Sequence, residues 1–62
     1  MNYDELSQED QKKIDEVLKD LNRQAAASND GRSYRLSDEK NKIQSLDRDG
    51  QVFFTVPIEI YV

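Results

Sequence analysis

The stretch Asp47-Arg48-Asp49-Gly50 is where residue types and spacing come closest to ion chemistry. Setting Gly50 on the invariant glycine of an EF-hand calcium loop places Asp47 and Asp49 at the third and fifth positions, with Val52 at the eighth. The first position is then Ser45, and the twelfth, which needs a bidentate acid, is Val56. Two essential ligands are missing, so the stretch reads as a hairpin turn with Gly50 supplying positive φ. Without His or Cys the chain lacks the commonest transition-metal ligands and the usual nucleophile–base pairs, and no metal or cofactor is expected.

Acid–base catalysis would have to use carboxylates, Lys, Tyr or a hydroxyl. Asp15 with Glu16, and Asp38 with Glu39, are adjacent pairs. Neighbouring residues on a helix point to different faces and do not share a proton. A chain of 62 residues is also too short to enclose a pocket of several hundred Å³ without a second subunit. The expectation is a protein that is not an enzyme.

Charge permits one further reading. Residues 1–30 carry eight acids (Asp4, Glu5, Glu9, Asp10, Asp15, Glu16, Asp20, Asp30) against four bases (Lys12, Lys13, Lys19, Arg23). Residues 31–62 are balanced, so the whole net charge of −4 sits in the first half. Such a chain is repelled by phosphate backbones, which excludes general nucleic-acid binding. Arg32, Arg35, Lys40, Lys42 and Arg48 are interleaved with Asp38, Glu39, Asp47 and Asp49, so no coherent basic patch forms. An acidic face of Asp4, Glu5, Glu9, Asp15, Glu16 and Asp20 could instead imitate duplex phosphates and inhibit a DNA- or RNA-binding protein. The same residues make an ordinary solvated helix face, and Lys12, Lys13 and Lys19 cancel much of the field.

The elements that position these groups follow from periodicity. Ile14, Val17, Leu18, Leu21 and Ala25 form the stripe of an amphipathic helix. Ser7 is its N-cap, Glu9 and Asp10 favour the positive end of the helix dipole, and Leu6 packs back beneath it. Ser28-Asn29-Asp30-Gly31 ends the helix, with Gly31 available for a left-handed conformation. Beyond it, segments near Ser33–Leu36 and Lys42–Leu46 read as strands. Residues 37–46 also satisfy a helix start at Ser37, with Ile43 and Leu46 one turn apart. From Gln51 to Val62 every even position is apolar (Val52, Phe54, Val56, Ile58, Ile60, Val62), a period-two signal for one long strand bent at Pro57. Its far part, Ile58–Val62, needs a partner: the strand near Tyr34 or a second chain.

The expected fold is α+β, a single domain over residues 1–62. One N-terminal amphipathic helix packs on a small antiparallel β-sheet, a meander with a long C-terminal strand. Ile14, Val17, Leu18 and Leu21 would meet Leu36, Leu46, Val52, Phe54, Val56 and Ile58. Leu, Ile, Val and Phe make up roughly a quarter of the chain, just above the level of about 20% that marks disorder. A core this small is marginal alone, so a homodimer is expected. No stretch is long and apolar enough to span a membrane, Met1–Glu5 is the reverse of a signal peptide, and the absence of Cys fits a cytoplasmic location.

Function follows as an expectation. The chain reads as a small non-catalytic protein-binding module, a regulator, inhibitor or accessory subunit, by analogy with small acidic proteins of phages or mobile elements. It would dock through its C-terminal strand edge and nearby aromatics, with Phe53, Tyr61, Tyr34, Ile58 and Ile60 in contact. Tyr34, Phe53 and Tyr61 would share the mixed face of the sheet. The alternative is the acidic nucleic-acid mimic. No motif carries a family resemblance.

Overall fold

The computed structural model describes all 62 residues. A short 3-10 turn at Tyr3–Glu5 precedes helix α1 (Gln8–Ser28). Three strands follow, β1 (Ser33–Leu36), β2 (Lys42–Leu46) and β3 (Val52–Pro57), and a second 3-10 turn at Ile58–Tyr61 ends the fold. The strands form one antiparallel sheet in the order β1-β2-β3 with α1 packed against it, the α+β arrangement that the periodicities predict.

Helix α1 begins where Ser7 Oγ accepts the Asp10 N–H at 3.2 Å, which satisfies one of the unpaired donors of a first turn. It ends at Asn29, whose left-handed φ of 56° lets its N–H reach the carbonyls of Ala25 and Ala26. Asn29 is therefore the left-handed C-cap expected at Gly31. Gly31 also has positive φ, but it serves the approach to β1, packed against the Arg48 side chain.

The ambiguity over residues 37–46 resolves as a hairpin. Ser37 Oγ accepts the N–H groups of Asn41 and Lys42 and donates to Asn41 Oδ1. Lys40 takes the left-handed conformation that closes the loop. One buried hydroxyl thus does what a helix N-cap would otherwise have done, and Lys42–Leu46 runs as the central strand. The second hairpin closes on Asp47, whose Oδ1 accepts the N–H groups of Asp49 and Gln51. Gly50, at φ 81°, completes that turn.

The long C-terminal strand is shorter than the alternation implies. Register slips between Ser45 and Leu46, so that β3 carries an extra residue at Phe53. At the other end Pro57 stops the strand, and Ile58–Tyr61 winds into a 3-10 turn instead of pairing with β1 or another chain. At three residues per turn, Ile58 and Tyr61 fall on one side. Ile58 is fully buried and Tyr61 half-buried, while Ile60 and Val62 point outward.

The core is a trio of fully buried isoleucines: Ile14 from α1, Ile43 from β2 and Ile58 from the last turn. Each such burial contributes about 1.5–3 kcal/mol before entropy. Leu6, Val17, Leu18, Leu21, Leu36 and Val56 pack around them, and Ala25 and Leu46 are also buried. Val52 and Phe54, expected inside, are exposed. The bulge at Phe53 carries Val52 into the row of Leu46, which alternates with the row of Ser45 and Phe54. Phe54 keeps the inward side but is not covered. The reason is geometric. A helix about 10 Å across covers roughly two strands spaced about 4.8 Å apart. Here α1 lies mainly over β1 and against the Ile58–Tyr61 turn, so the inward face of β3 is left open.

Candidate functional site

The uncovered side of β3 forms an apolar cleft of about 210 Å³ lined by Leu21, Tyr34, Ile43, Phe54, Val56 and Tyr61 together with Ser45. Register explains the assembly. Tyr34, Ser45 and Phe54 are cross-strand partners in one row, and Leu36, Ile43 and Val56 in the next. Opposed residues in a sheet share a face, so Phe54 and Val56 stand on the side that carries α1. Leu21 supplies the helix wall and Tyr61 the far wall. Phe54 is 58% exposed, and Ile60, on the terminal turn, is 62% exposed.

The two sheet edges differ. At β1 the Asn22 amide donates to the Tyr34 carbonyl at 3.0 Å and accepts the Tyr34 N–H at 2.8 Å. A side chain from α1 thereby takes the ladder place of a neighbouring strand. At β3, Phe54 and Val56 pair with β2, and the Ile58 N–H continues that phase by reaching the Asn41 carbonyl. Thr55, between them, therefore turns its N–H and C=O away from the sheet. The bulge at Phe53 precedes it and Pro57, without an N–H, follows it. The open edge thus offers one complete donor–acceptor pair at Thr55.

Of the expected contact residues, Tyr34 and Tyr61 line the cleft, and Ile60 is exposed on the terminal turn without lining it. Ile58 does not belong to the surface: the turn after Pro57 carries it inward to the core. Nor do Tyr34, Phe53 and Tyr61 form one patch on the mixed face. Phe53 sits in the bulge beneath the Arg32 guanidinium, 5.3 Å from ring centre to cation, a cation–π contact. Of the two residues expected in the core and found exposed, Val52 and Phe54, it is Phe54 that opens onto the cleft. Its inward alternation was visible, but the sideways placement of the helix was not.

The six residues of the acidic face are all exposed, and most are engaged. Asp4 pairs with Lys40 at 3.4 Å and Asp20 with Arg23 at 2.6 Å. Glu5 caps the Asn2 N–H, and Asp15 accepts the Tyr3 hydroxyl at 2.9 Å. Glu9 and Glu16 remain without such contacts. The Tyr3–Asp15 bond, together with desolvation and the charges of Asp15 and Asp4, holds the phenol above its ordinary pKa of 10.0. The shift extends to higher pH the range over which Tyr3 stays protonated, which suits a structural donor rather than a base. A second, open depression of about 300 Å³ is lined by Ser37, Asp38, Glu39, Asn41, Lys42 and Gln44 and has no apolar wall. Its buried hydroxyl, on Ser37, is committed to the hairpin.

No helix is long and apolar enough to cross a membrane. Comparison with known protein families, with curated proteins and with solved structures finds no match.

Proposed function

We propose that this chain is a small non-catalytic protein-binding module, a regulator, inhibitor or accessory subunit of a larger protein, acting in the cytoplasm. The observation that carries this reading is the apolar cleft between α1 and β3, lined on its open side by the exposed Phe54. Ligand pockets run to about 300–1,000 Å³ and combine apolar walls with a few convergent polar groups. A 210 Å³ cleft whose lining is apolar apart from Ser45 and the hydroxyls of Tyr34 and Tyr61 suits one inserted side chain of a partner. Aromatic anchors in such pockets dominate interface energies. Ion pairs at Asp4 and Asp20, and hydrogen bonds that commit Glu5 and Asp15, work against the mimic of nucleic-acid phosphates, since they leave Glu9 and Glu16 as its uncommitted carboxylates.

The test is capture of proteins from the native host with the intact chain, Phe54→Lys and the double variant Glu9→Lys, Glu16→Lys. Phe54→Lys is expected to abolish capture, and the double variant to retain it with weak dependence on salt. Loss with the charge variant alone, together with steep salt dependence, would transfer the function to the acidic face.

A further inference from the structure

The geometry points to a second copy of this chain as the occupant of the open β3 face, paired antiparallel about a two-fold axis at Thr55. This rests on the binding-module reading and says what closes the same face in the free protein.

Register selects the arrangement. A two-fold at Thr55 lets its N–H and C=O bond reciprocally to Thr55 of the other copy. The next pair outward sets Phe54 of one copy opposite Val56 of the other, on the face that carries the helices. Val56 lines the cleft, so each Phe54 ring enters the neighbour's cleft. One step further, Pro57, which has no N–H, falls opposite the bulged Phe53, where regular pairing is already interrupted. The ladder therefore ends where neither copy leaves a ladder donor unanswered. A two-fold interface requires one patch to be both knob and hole, and Phe54 beside its own cleft meets that requirement.

Area and charge agree. The chain exposes 4488 Å², whereas a compact monomer of 7.2 kDa exposes about 4,100 Å². Phe53 and Phe54, each roughly half exposed, leave about 200 Å² of ring surface. Taken over both faces of this border and the turn that follows it, these rings with Val52, Ile60 and Val62 expose on the order of 400 Å² of apolar surface, comparable with the apolar share of a standard interface burying about 800 Å² per partner. Gly50 through Ile58 carry no charge in a chain of net −4. The paired sheet would hold the two acidic helices on the order of 20 Å apart, beyond the Debye length of about 8 Å at physiological salt.

Sedimentation of the purified full chain from about 10 μM to about 1 mM is expected to show a monomer–dimer equilibrium. Phe54→Glu should weaken it by at least about thirtyfold while the helical circular dichroism stays unchanged. Thr55→Cys, in a chain without other thiols, should oxidise to a disulfide-linked dimer, because hydrogen-bonded antiparallel partners sit about 5.5 Å apart at Cα. Ala27→Cys, on the exposed end of α1, should not. A wild-type monomer throughout overturns the inference, as does a dimer indifferent to Phe54→Glu that leaves Thr55→Cys unlinked. Neither result touches host-protein capture through Phe54, so failure of self-pairing and failure of the module reading are told apart.

Discussion

The two borders of the sheet solve the same problem in opposite ways. At β1 the Asn22 amide answers both backbone groups of Tyr34 and binds α1 to the sheet. At β3 no side chain does this for Thr55, and the apolar residues around it stand in solvent. A short chain has one long helix to spend, and its position over β1 leaves β3 bare. The protected border is closed from within, while the bare one carries the features suited to recognition. Edge strands are often blunted by bulges and proline, and β3 has both, at Phe53 and Pro57. They confine its open backbone to a single residue.

The largest effect expected from breaking this contrast falls just past β3. Ile58→Ala should lower unfolding free energy by about 2–5 kcal/mol, because Ile58 is fully buried. Ile60→Ala, two residues on and exposed, should stay within about 0.5 kcal/mol. Denaturant midpoints of the two variants separate the inward and outward sides of the turn. At the other border, Asn22→Leu keeps the side chain's bulk but leaves the Tyr34 N–H and C=O without partners. A loss of about 1–3 kcal/mol is expected, with faster hydrogen exchange at the Tyr34 amide as its local signature. The smallest effect concerns Tyr3. Its raised pKa means the fold favours the protonated phenol. The stabilisation is complete below pH 10 and is lost as pH rises through the folded-state value. Tyr3→Phe should therefore be slightly less stable than the parent at neutral pH and converge with it in strong alkali, as followed by thermal melts across pH.

Much of this architecture was legible from local chemistry. The Ile14–Ala25 stripe and Ser7 place α1, and Asp47–Gly50 places the second turn, because each rests on interactions within a few residues. The Asn2–Glu5 capping box was equally local and could have been read as the first 3-10 turn. The tail misled because apolar residues at 58, 60 and 62 fit strand alternation, while 58 and 61 fit a 3-10 turn just as well. Pro57 favours the second, but the choice depends on whether the core needs one more buried side chain. Asn22 gave no signal, since a polar residue on a helix flank reads as solvated until a strand arrives beside it. Phe54 was assigned to the correct face and the wrong environment, because how far a helix extends across a sheet is a tertiary quantity.

The Asn22 plug also limits growth. Val52–Val56 is an uncharged, β-prone run of the kind that templates fibrils when strands stack without end. Endless stacking needs two free borders on every subunit, and here one is occupied from within. Edge-to-edge addition at β3 consumes the remaining border, so such an assembly stops at two. One asparagine on a helix thereby separates a closed complex from an open filament, and substituting it would be felt in turbidity and fibre-binding dyes as well as in folding.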